Sequence, residues 1–138
     1  MRILAAALLI YIGACASAVA QGVQSPYGNV QCNASVNYSA ATAGTTELVS
    51  AQANKRVYVC NYIMDSAGGT QTVGLVYGTG TACATGTANL TPGWSLGANQ
   101  GLVDNVTDAV LQTALGNALC INVVGTGQIA ARVSYLQQ

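Results

Sequence analysis

From residue 32 to the C-terminus, short apolar runs alternate with polar positions, and clusters of Gly, Ser, Thr and Asn separate them. A period of two in apolar positions is the mark of a strand with one face buried. The segment "ASVNYSA", residues 34–40, alternates in this way. "RVYVCNYIM", residues 56–64, is the strongest strand. Straight alternation places Val57, Val59 and Ile63 on one face and Tyr58, Cys60, Tyr62 and Met64 on the other. Both faces are apolar enough for a central strand. "DSAGGT" then offers a turn, with Gly68 and Gly69 free to take positive φ, and "QTVGLVYG" is expected to return as its hairpin partner. "NALCINVVG" and "GQIAARVSYLQ" predict a second hairpin around Gly125, Thr126 and Gly127. Ile129, Ala131, Val133 and Tyr135 share one face of the last strand. Val57, Val59, Ile63, Leu75, Ile121, Val123 and Val133 are the candidate core.

One region is ambiguous. In "TDAVLQTALGNA", Ala109, Val110, Leu111, Ala114 and Leu115 fit a helical spacing that Thr107 or Asp108 could cap. Gly116 and Asn117 stop such a helix early, so a strand followed by a loop is favoured. Elsewhere no long helical period occurs, and turn signals recur every eight to twelve residues. That spacing predicts an all-β domain over residues 32–138: a small antiparallel β-sandwich, jelly-roll-like or immunoglobulin-like.

The first residues stand apart. Met1-Arg2, the apolar "ILAAALLIYIGA" and the small-x-small "AVA" before Gln21 form a secretory signal peptide over residues 1–20. A second reading is that "IGAC" is a lipobox, with lipidation at Cys15 and hence membrane attachment. Residues 21–31, "QGVQSPYGNVQ", read as a flexible leader. Four cysteines follow: Cys32, Cys60, Cys83 and Cys120. An even count in an exported chain argues for two disulfides and allows three pairings. Cys32–Cys60 and Cys83–Cys120 are the expected pairs. Cys32 opens the first strand, and Cys60 lies in the strand taken as its neighbour. Cys83 lies in a loop that needs an anchor, and Cys120 in a later strand.

"YGTGTACATGTANL", residues 77–90, poses a separate question, because a strand running into Gly-x-Gly can begin a dinucleotide-binding loop. Cys83 stands where the third glycine belongs, and Pro92 with several glycines precludes the required helix. The stretch reads instead as a connection between strands, pinned by Cys83.

Charge narrows the function classes. Lys55, Arg56 and Arg132 oppose Glu47, Asp65, Asp104 and Asp108 after the leader, too few cations for a nucleic-acid partner. The chain has no histidine. That removes the usual base for a Ser or Cys nucleophile, and Lys55 beside Arg56 reads as a solvated turn. Asp104 and Asp108 read as a polar loop rather than a glycosidase pair or a calcium site. No catalytic, cofactor-binding or metal residues are therefore expected, and no enzyme activity. The single tryptophan, Trp94 in "TPGWSLG", is the candidate ligand contact, with Tyr77 beside it. An aromatic there either stacks on a sugar or closes the end of the core. Tyr58 and Tyr62 are weighed in the same way and are expected to pack against the core or an interface. Asn33, Asn37, Asn89 and Asn105 each begin an Asn-x-Ser/Thr sequon.

Taken together, "RVYVCNYIM", "QTVGLVYGTGTACATGTANLTPGW", "NALCINVV" and "ARVSYLQ" make the chain similar to a group of small proteins from tailed bacteriophages and phage-rich environmental sequences. Such proteins often carry a signal peptide, a Cys near the mature start, a Val-Cys-x-Tyr strand, a Tyr-Gly-Thr-Gly-Thr loop with its Cys, and a Leu-Cys strand. The resemblance spans nearly all of residues 32–138, with Asn61 where Gly is common. It implies a structural or attachment role at a virion or cell surface, with self-association or another surface protein as partner. The terminal strand "AARVSYLQQ", with no run of Lys or Pro to protect it, is the expected pairing edge. The alternative is a secreted carbohydrate-binding module built on Trp94 and nearby tyrosines.

Overall fold

The structure, a computed structural model, describes residues 31–105 and 111–138. The expectations for the signal peptide, Cys15, most of the leader, and residues Thr107–Val110 lie outside them. Among the described residues ten strands form two antiparallel sheets. These are β1 (Ala34–Ala40), β2 (Gly44–Val49), β3 (Val57–Ala67), β4 (Gln71–Thr79), β5 (Thr85–Asn89), β6 (Trp94–Leu96), β7 (Gly101–Asn105), β8 (Leu111–Gln112), β9 (Ala118–Gly125) and β10 (Gln128–Gln137). Sheet I has the order β1-β10-β3-β7, with β8 continuing the β7 edge along β3. Sheet II has the order β2-β9-β4-β5, with β6 continuing the β5 edge along β4.

If each broken edge is taken as one strand, eight positions remain, and the chain visits the sheets as I, II, I, II, II, I, II, I. This is the connectivity of a jelly roll, with the first and last strands side by side in one sheet. The disulfide-stapled β-sandwich expected from the pattern is present, and the topology selects the jelly roll over the immunoglobulin arrangement.

Both expected hairpins are absent. β3 and β4 lie in different sheets, as do β9 and β10. The glycine-rich turns Gly68–Thr70 and Thr126–Gly127 are corners that carry the chain from one sheet to the other. The two corners stack: a Cβ on Gly69 would meet Gly127 Cα at 3.1 Å, so glycine lets the two backbones touch. Buried Gln71 ties them together, its amide donating to Ser66 Oγ at 3.0 Å and to the Gln128 carbonyl at 2.7 Å. Local turn chemistry is the same for a hairpin and for a corner. What decides between them is which faces the two strands must bury.

The core fills the space between the sheets. Sheet I supplies Val57, Val59, Tyr62, Met64, Ile129, Ala131 and Val133; sheet II supplies Val49, Val73, Leu75, Leu96, Leu119, Ile121 and Val123. Ile63 is the exception among the expected core residues. The pairing of β3 with β10 shifts where Ser134 faces Asn61 but Tyr135 faces Val59, so Cys60 is an extra residue in a β-bulge. One inserted residue flips the facing of all that follow. Tyr62 and Met64 therefore turn into the core, and Ile63 turns to the outer face.

The terminal strand is not an edge. β10 lies between β1 and β3, because the jelly roll lays the N-terminal strand against it. Residues 111–117 hold β8 and a turn rather than a helix. At this end of the sandwich, buried Thr113 accepts the Val57 N–H on its hydroxyl and the Arg56 guanidinium on its carbonyl, each within 3.1 Å. Arg56, read from sequence as a solvated turn charge, instead braces this junction and exchanges backbone hydrogen bonds with Gln138.

Candidate functional site

Both expected disulfides are present. Cys32–Cys60 and Cys83–Cys120 have Cα separations of 6.1 and 6.3 Å. The first pair forms for a different reason from the one expected. β1 and β3 are not neighbours, since β10 runs between them. Two strand spacings make about 9.6 Å, so the residues leading into β1 must step sideways across the end of β10 to reach the bulged Cys60.

The second disulfide roofs the outer face of sheet II. The turn Thr81–Cys83 folds back over β4 and β9, where Cys83, Val76, Ala118 and Cys120 form a separate buried cluster. Ala82 and Cys83 take φ of 50° and 58°, in the left-handed region. The Thr87 hydroxyl donates to the Cys83 carbonyl and closes the loop on itself. Gly78 is required underneath, because a Cβ there would lie 2.8 Å from the Cys83 carbonyl oxygen. The glycine–threonine stretch is thus more than a connection: it is a lid over the sheet, pinned by one covalent bond.

The candidate ligand contacts do not meet. Trp94 pairs with Val73 and Tyr77 with Leu119. Val73 and Tyr77 are four residues apart on β4, about 13 Å along a strand. Trp94 is half-buried, and its indole nitrogen is buried without a hydrogen-bond partner. It closes the side of the core where the β6 edge faces the β7 edge. Tyr62 reaches the same place from β3 and donates to Asp104 Oδ2 at 2.7 Å. Burial, followed by this hydrogen bond to a carboxylate, pushes the Tyr62 hydroxyl up to about 12, while the nearby Trp94 N–H acts the other way. The Trp94 N–H is thus near the Tyr62 oxygen without the geometry of a hydrogen bond. Straight alternation places Tyr62 on the face opposite Val57 and Val59; it packs against the core, as expected of it, but on their own face because of the bulge. Once the bulge is counted, Tyr62 and Asp104 are direct cross-strand partners. A bulge carries no reliable sequence signal, so this cluster was hidden.

The rest of the described surface is mostly polar, with Val103, Leu115 and Val124 as its exposed large hydrophobic residues. Asn33, Asn37, Asn89 and Asn105, the sequon residues, are all exposed. On the outer face of sheet I, cross-strand rows read Ser39, Ala130, Asp65, Gly101, then Asn37, Arg132, Ile63, Val103, then Ser35, Ser134, Asn61, Asn105. Val103 is 63 % exposed, so this face carries a small apolar patch among uncharged polar groups.

The four sheet edges differ. β2 is disturbed by a register shift between Glu47 and Val49. The β5–β6 edge is interrupted around Pro92 and shifted between Tyr77 and Thr79. The β7–β8 edge is discontinuous along β3. β1 keeps an unbroken register with β10 from Ala34 opposite Tyr135 to Ala40 opposite Ile129, and it carries no charge, proline or glycine.

No protein-family model matches the chain, and a comparison with curated proteins finds no match. Among solved structures, the fold is similar to part of a chain in the crystal structure of the T13 IBDV viral particle. That likeness has 12 % identity and a TM-score of 0.36, and covers 75 % of this chain and 34 % of that one. A chain in the structure of infectious bursal disease virus Gx strain is similar at 12 % identity and TM-score 0.33, with 76 % and 38 % covered. The chain spans little more than a third of the length of either.

Proposed function

We propose that this is an exported, non-enzymatic structural or attachment protein, phage-associated, that works by self-association or by binding another surface protein. The observation that carries this reading is the surface of sheet I. Its outer face and its β1 edge present Ser, Asn, Ala and Gly around the small Ile63–Val103 patch, with two charges, Arg132 and Asp65, in the rows given above. Charge of one sign keeps copies apart, and here there is little of it. Exposed strand edges and weakly charged sheet faces are the surfaces through which β proteins join. Two disulfides support an oxidising destination.

The test is light scattering on oxidised mature protein across micromolar concentrations, with co-sedimentation on phage particles and host cells. A mass that rises with concentration, or binding to either particle, supports the reading. A monomeric mass throughout with no binding overturns it. A tryptophan fluorescence titration with polysaccharides covers the sugar-binding alternative, and saturable quenching would favour that role instead.

A further inference from the structure

We propose that β1 is a self-pairing edge: two copies of the chain join antiparallel through Ala34–Ala40 about a two-fold axis at Asn37. This extends the assembly reading above by naming the surface and the partner. Sheet I then continues as β3-β10-β1 of one copy into β1-β10-β3 of the other.

Four observations carry it. First, β1 lacks the devices that protect an edge. A bulge, a charge, a proline or a break normally does this, and the other three edges each show at least one: the shift at Glu47, the interruption at Pro92, and the jump along β3 from Asn61 opposite Asn105 to Val59 opposite Leu111. Second, β1 is long enough and regular enough to serve, at seven residues with an unbroken register. Third, its sequence is complementary to itself when reversed. With Asn37 on the axis, Val36 of one copy faces Tyr38 of the other, Ser35 faces Ser39, and Ala34 faces Ala40. No pair is like-charged, and an aromatic opposite a β-branched residue is a favourable cross-strand pair. Val36 and Tyr38 lie on the inner face, partly buried against the core. Pairing would complete their burial and extend the core across the axis. Fourth, the Cys32–Cys60 bond ties residue 32 to β3, across β10, and so holds it away from the edge.

A seven-residue edge buries less than a standard interface. Pairing by β1 alone is therefore weak, suited to an assembly in which many copies add their contacts. Sedimentation velocity up to several hundred micromolar reads it. Asn37→Asp and Asn37→Lys each place like charges opposite each other at the axis, on an exposed residue that the core does not use. Each variant should dimerise several-fold more weakly than wild type, by roughly the few-fold that a cross-strand charge pair is worth. Mixing the two should restore the dimer. Asn105→Lys, on the opposite edge, should leave association unchanged. Unchanged melting temperatures certify the fold. Should either Asn37 variant melt early, Ser35→Asp with Ser39→Asp against Ser35→Lys with Ser39→Lys repeats the test.

Wild type that associates while both Asn37 variants associate equally well overturns the β1 edge and leaves the assembly reading standing. Failure of the mixture to recover overturns the two-fold register. Wild type that stays monomeric in sedimentation overturns this proposal, and the assembly reading falls with it only if particle and cell binding are also absent.

Discussion

The sandwich contains two buried clusters held by different means. Between the sheets, the core is a continuous set of Val, Leu, Ile, Met and Tyr side chains with no disulfide among them. On the outer face of sheet II, the cluster is Val76, Cys83, Ala118 and Cys120, and two of these are joined covalently. The first core is supported by area: burying one large aliphatic side chain is worth about 1.5–3 kcal/mol, and many are buried. The lid has little area to offer. Ordering a loop costs roughly 1–2 kcal/mol per residue in backbone entropy, more than an alanine and a valine return. The Cys83–Cys120 bond closes a separation of 37 residues. In the chain-entropy account that is worth about 4 kcal/mol. In this charge-poor chain, covalent bonds stand where apolar area runs short.

The sharpest way to break this contrast is to charge the main core. Val59 is 1 % exposed, and Val59→Asp leaves an unpaired carboxylate between the sheets. The expected outcome is loss of the whole fold: no cooperative transition in a circular dichroism melt, at a cost of about 4 kcal/mol or more. A variant that keeps the wild-type melting temperature would show that this face is not the core.

The next effect separates the clusters. Replacing Cys83 and Cys120 together by Ala should cost about 3–4 kcal/mol and leave the sandwich folded. Limited proteolysis should then cut within residues 80–87, which wild type resists. Collapse of the whole domain at room temperature would mean that the lid belongs to the main core.

A smaller effect lies at the margin of the main core, in Tyr62. Its hydroxyl has a folded-state value raised to about 12 from an ordinary 10. A raised value means that the folded state resists losing this proton. The stabilisation is present in full below pH 10 and is lost as pH rises through about 12. Tyr62→Phe has no proton to lose. Urea melts of both proteins between pH 9 and 12 should therefore show wild type losing stability faster. Parallel curves would mean that the Tyr62–Asp104 bond does not constrain the hydroxyl.

How much of this was legible in the sequence follows from the range of each cause. Alternation along Val57–Val59, Leu75, Ile121–Val123 and Val133 placed the core, because strand facing is a local property. The cysteine pairs were legible from parity and placement, although β10 lies between the strands that Cys32 and Cys60 tie. The corners at Gly68–Thr70 and Thr126–Gly127 were misread as hairpins, since the choice of sheet depends on distant strands. The edge was misplaced for the same reason: β10 looks terminal in sequence and is internal in space. The Tyr62–Asp104–Trp94 cluster was out of reach because one inserted residue, Cys60, reverses every facing after it.

That inserted residue gives the smallest effect and the finest test. If the bulge lies at Cys60, Ile63 faces outward and its neighbour Met64 faces the core at 0 % exposure. Ile63→Ser should then change stability by about 1 kcal/mol or less, since Ile63 is only half-buried on the outer face and loses mainly strand propensity. Met64→Ser should cost about 2–5 kcal/mol, the range for emptying a large buried side chain. The comparison uses one strand, adjacent residues and the same replacement, so propensity and unfolded-state effects largely cancel. Urea melts of the two variants decide it. Equal losses, or a larger loss at Ile63, would put Ile63 back in the core and Tyr62 outside it. The bulge would then be absent, and the hydrogen bond from Tyr62 to Asp104 would lose its basis.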